Sequence, residues 1–135
     1  AARTDPGVQN WLRSGETLVL MDAFQTGSTK APRNESEKFF LTFNKSDDAE
    51  RVQDILTVLR WMQTAKGAKS LRVAGLNRAQ IWAVFAAAAA PVKVAADRPT
   101  VSFDGSDEAF AREFFVPGMQ RAGGWQAALR LAGVL

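Results

Sequence analysis

The sequence predicts an α/β protein, a short parallel β-sheet flanked by helices. Three observations carry that expectation. Residues 17–21 form a nearly continuous apolar run, the pattern of a strand covered on both faces. Residues 52–62 place Val52, Ile55, Leu56, Leu59 and Met62 at helical spacing. The order strand, helix, strand, helix, strand along residues 17–97 is that of parallel units joined by helical crossovers.

Each element has its own signal. Residues 8–13 read as a short amphipathic helix stopped near Gly15. The strand at 17–21 follows, and residues 22–33, rich in Gly, Ser, Thr and Pro, read as a loop. Phe39, Phe40, Leu41 and Phe43 make residues 38–44 a short strand or a packed loop. Ser46 or Asp47 caps the clearest helix, and the acids beside it suit the positive end of its dipole. That helix stops around Lys66 and Gly67. Residues 70–75 are the next strand. The helix at 78–90 is apolar almost all round, so it is expected in the interior. Pro91 ends it, and residues 92–97 form a third strand. A helix at 106–115 starts on Ser106 with Asp107 and Glu108 in its first turn, and residues 125–131 form the last helix.

The chain of 135 residues suits one domain with a real core, at 47% hydrophobic and 23% charged residues. The net charge is +3, and the charges alternate in sign rather than forming a basic face, so no nucleic-acid partner is expected. No apolar run approaches the roughly 20 residues that cross a membrane, so no membrane partner is expected. The start has no apolar signal segment and the chain has no cysteine, which leads to a cytoplasmic expectation. Without cysteine there are no disulfides and no thiolate metal sites, and no cofactor is indicated. The chain also has no histidine. A serine nucleophile needs a base poised near neutral pH, and imidazole is the usual one, so a Ser-His-acid triad cannot be assembled from these residues.

Leu18-Val19-Leu20-Met21-Asp22 followed by Gly27-Ser28 resembles a strand and loop of the α/β-hydrolases. Val73-Ala74-Gly75-Leu76-Asn77-Arg78-Ala79 sits where that family places its nucleophile elbow, Gly-x-Ser-x-Gly. Residues 39–48 and Phe114-Phe115-Val116-Pro117-Gly118 are similar to the acetyl-xylan-esterase-like branch, and more narrowly to the degenerate second domain of some long members. The resemblance implies a single incomplete α/β-hydrolase-like domain over 1–135, the central part of a hydrolase domain. It implies early strands before Ala1 and a further strand after Leu135. It keeps the first elbow glycine as Gly75, but puts Asn77 at the nucleophile and Ala79 at the second glycine. One oxyanion donor, the N–H of Arg78, carries over by resemblance, and the triad does not.

The candidate site residues follow. Asn77 and Arg78 at the start of a buried helix could orient a carbonyl and attract an anion; the simpler alternative is a helix cap with Arg78 in solvent. Asp97 and Asp22 end two strand candidates, where open α/β sheets border their ligand crevice. Asp97 with Asn77 and Arg78 would make a polar pocket for a small ester or anionic ligand. Ser28 with Lys30 is a weaker nucleophile-base pair, and a structural loop is the competing account. Residues 104–108 offer clustered oxygens, but their spacing fits helix capping rather than calcium, and no metal site is expected. Trp11, Trp61, Trp82 and Trp125 read as packing, with Trp61 the one that could face a partner. Two functions are carried forward: a structural or assembly segment related to esterases, and an unconventional hydrolase of small esters using a helix terminus and carboxylates. The open sheet edges predict a homo-oligomer, or association with the remainder of a longer hydrolase.

Overall fold

A computed structural model describes residues 2–34 and 36–135. The architecture is mixed α/β and mostly helical. Helix α1 spans Pro6–Arg13, α2 Phe40–Phe43, α3 Asp47–Thr64, α4 Ala79–Ala89, α5 Asp107–Glu113 and α6 Gly124–Leu131. Two short strands, β1 (Arg72–Val73) and β2 (Ala95–Ala96), pair in parallel with Arg72 opposite Ala95 and Val73 opposite Ala96. Helix α4 connects them and packs on both, as well as on α3 and α6.

Helix α4 is the centre of the molecule because nothing in it needs water. Residues 81–87 are all buried. Its alanines, with Ala86 fully buried, leave room for neighbouring elements to approach. Pro91 lies just beyond its end and cannot continue it. The side of α4 toward α5 and α6 is filled by aromatics. Phe85 stacks on Phe114 with centroids 4.2 Å apart, and Phe103 meets Trp125 edge-on at 5.0 Å. Such pairs contribute about 0.5–1.5 kcal/mol beyond the area they bury. Toward α3, Ile55 and Leu59 complete the core.

The caps match the residues that suit them. The Ser46 hydroxyl accepts from the N–H of Ala49 at 3.3 Å, and the Ser106 hydroxyl from that of Ala109 at 3.2 Å. Asp5 caps α1, with Pro6 in its first turn.

Three expectations about strands are corrected. Residues 17–21 form no strand; they run as irregular chain with Val19, Leu20 and Met21 exposed. A strand needs a ladder partner, and no described strand lies alongside this run, so its β-propensity is unspent. Within residues 38–44, Phe40–Phe43 form the single turn of α2 instead, entered through Phe39 at φ +64. The third and second strand candidates shrink to two residues each. The sheet therefore has two strands, not three.

Candidate functional site

The junction between β1 and α4 is built for close approach. A Cβ on Gly75 would lie 2.2 Å from the carbonyl carbon of Ala79, so only glycine lets the strand end pass the first turn of the helix. Asn77 turns the chain with φ +52, the left-handed region that asparagine tolerates better than most residues. The helix is then entered through tight bonds. The N–H groups of Ala79, Gln80 and Ile81 donate to the carbonyls of Leu76, Asn77 and Arg78. Those donors are spent within the turn and are withdrawn from any anion.

The three residues expected to converge here do not. The Asn77 side chain is exposed and has no hydrogen-bond partner among the described residues. The Arg78 guanidinium turns away to the end of α5, where it donates to the carbonyls of Arg112 and Glu113. Cations belong at that end of a helix, so its charge has a structural use. Asp97 is held by Arg72, whose Nε donates to Oδ1 at 2.8 Å and whose Nη2 forms the ion pair at 2.5 Å. The pair spans the parallel strands, and Trp11 from α1 lies 5.5 Å from the Arg72 guanidinium.

Asp22 and Ser28 are brought together. The Ser28 N–H and Oγ–H both donate to Asp22 Oδ2, at 2.9 and 2.8 Å. These bonds hold the Asp22 carboxyl below its usual range, the Ser28 backbone bond most of all. A Cβ on Gly27 would fall 2.4 Å from that carboxylate, so the loop closes only with glycine there. A carboxylate stabilised in its charged form is a weak base. Ser28 donates to Asp22 and makes no bond to Lys30, which is exposed. Asp104 is a similar turn: it accepts from the Ser106 N–H at 2.8 Å, and the Ser106 bonds lower its carboxyl below the usual range. Among the described residues, no group of three or more acidic side chains is placed to hold a metal ion.

The concave surface lies elsewhere. An apolar notch of about 20 Å³ sits between α3 and residues 90–92, and an open hollow of about 170 Å³ is lined in part by Arg98, Trp125 and Leu129. Ligand pockets enclose about 300–1,000 Å³. Neither hollow includes Asn77, Asp97, Asp22 or Ser28.

The most connected polar group was not singled out from the sequence. Asp48, 7% exposed, accepts from the Trp82 Nε1–H at 2.9 Å, from Arg51 at 3.0 Å and from the Phe115 N–H at 2.8 Å. Arg51 also lies 4.8 Å over the Trp82 ring and donates to the Phe24 carbonyl at 3.0 Å. Asp47 pairs with Arg33 and Arg51. Two clues were available. Asp48 and Arg51 are three apart on one helix, and a buried Trp N–H needs an acceptor.

No protein-family model, no curated protein and no solved structure matches this chain. No helix among the described residues is long and apolar enough to cross a membrane.

Proposed function

We propose that this chain is a non-catalytic assembly unit, an esterase-related α/β-hydrolase-like segment whose elbow has become a structural turn. One observation carries the reading: Asn77, Arg78 and Asp97, the residues that would have to act together, are each directed elsewhere. Asn77 stands in solvent, Arg78 closes α5 and Asp97 closes the two strands. The absence of histidine from the chain supports the same reading, because neither Asn77 nor Ser28 has a neighbouring base poised near neutral pH. Support for the hydrolase-like lineage comes from the sharp strand-to-helix turn, with Gly75 required by packing and a left-handed residue at position 77. Support for assembly comes from the exposed apolar run at 19–21 and from the two-stranded sheet.

The test is hydrolysis of a short-chain nitrophenyl ester by the folded protein, with Asn77→Ala and Asp97→Ala alongside. The expected rates are those of buffer for all three. Turnover by the wild type that either variant loses would replace this reading with the alternative, a histidine-free hydrolase of small esters.

A further inference from the structure

Residues 17–21 are the largest departure from what the sequence prepares. Leu18, Val19, Leu20 and Met21 suit a strand enclosed on both faces, yet Val19, Leu20 and Met21 are 41%, 46% and 37% exposed. No backbone hydrogen bond from residues 17–21 enters a ladder. The run is held at both ends. At one end α1 precedes it, with Trp11 against Arg72. At the other, the Phe24 N–H donates to Asp54 at 2.8 Å and Asp22 is locked to Ser28. It is a presented segment rather than a loose one.

The same chain carries a matching acceptor. The ladder bond from the Ala95 N–H to the Leu71 carbonyl turns Ala95 inward to β1. Alternation along a parallel strand then turns the N–H and C=O of Ala96 to the other edge, where no described strand lies; Val94, turned the same way, is buried. The charges at the two places are opposite. Glu16 and Asp22 bracket the apolar run, while Lys93 and Arg98 bracket β2. Lys93 and Arg98 are both exposed and form no ion pair among the described residues. The outer edge of β1 lacks this match, because its Arg72 is already committed to Asp97.

We propose that residues 17–21 of one copy add as a strand to the outer edge of β2 in a second copy, with Glu16 and Asp22 meeting the Lys93 and Arg98 ends. The inference deepens the assembly reading above and names its surface. Each copy has one donor segment and one acceptor edge, so a reciprocal exchange closes a two-fold dimer. Main-chain bonds of this kind give the affinity, and the bracketing charges set the register.

The test is sedimentation of the full chain over a concentration series, with five variants. The wild type is expected to show a reversible dimer that weakens with added salt. Lys93→Glu with Arg98→Glu is expected to weaken it about tenfold, since two attractive pairs become repulsive. Leu20→Lys is expected to abolish it. Glu16→Lys mixed with the Lys93→Glu, Arg98→Glu protein is expected to recover part of the lost association as a mixed species. Arg130→Glu, an exposed cation on α6 rather than on β2, is expected to change nothing. A wild type that stays monomeric to high concentration overturns the proposal. So does a dimer that ignores both Leu20→Lys and the β2 reversals, or one that Phe43→Ser abolishes instead. The ester assay is independent of all these outcomes, so a monomer that is also inactive rejects the surface without making the chain an enzyme.

Discussion

Asn77 holds a backbone conformation that costs most L-residues about 1–2 kcal/mol and asparagine less. Replacing it tests whether the turn is structural. Asn77→Ala is expected to lower the unfolding free energy by about 1 kcal/mol, and Asn77→Gly to leave it equal or higher. Urea titrations of the three proteins check this. Equal stability of the alanine and asparagine forms would show that the turn does not strain residue 77. Some of this was legible in the chain. An Asn two residues after Gly75, at the head of an apolar helix, marks a turn by composition alone. The partner of Asp97 was not legible. Arg72 lies 25 residues earlier, and only the pairing of two strands brings them together. Ser28 and Asp22 are six apart, and their bond depends on the loop closing through Gly27.

At the scale of elements, the helices were legible and the strands were not. Helices α1, α3, α4, α5 and α6 fall where periodicity and caps predict them, because their backbone bonds are internal and need no distant partner. A strand is completed only by another strand, so the most strand-like run in the sequence, residues 17–21, stays irregular within one copy. Asp48 shows the same limit for polar groups. Beside a helix cap it reads as a dipole partner, yet it joins α3 to Trp82 of α4 and to the chain after α5. Removing it leaves the Trp82 and Phe115 N–H donors without their acceptor, while Arg51 keeps Asp47 as an acid partner. Asp48→Ala is expected to cost about 2–4 kcal/mol, since each buried donor left unsatisfied costs about 1–3 kcal/mol. Thermal unfolding of Asp48→Ala against the exposed control Glu108→Ala checks the value. A loss under about 1 kcal/mol would show that this junction does not hold the elements together.

For the whole molecule, acid is the condition under which such local bonds become visible together. Asp22 and Asp104 both have carboxyls held below the ordinary aspartate value of 3.8, each chiefly by a serine N–H. A lowered folded pKa means the carboxylate form is stabilised by folding. That contribution is present above the unfolded value and is lost as pH falls through the folded one. Acid also leaves the 17 Lys and Arg residues without their 14 acidic counter-charges, so general repulsion grows over the same range. A difference measurement separates the two effects. The Asp22→Asn, Asp104→Asn protein is expected to be less stable than the wild type near neutral pH. The gap should narrow as pH falls below 3.8 and close at the acid end, once the wild-type carboxyls are protonated too. Urea midpoints of both proteins from about pH 7 to pH 2 give the curve. A gap that stays constant over that range would mean the two turns are held by their geometry, with no contribution from the charge of either carboxylate.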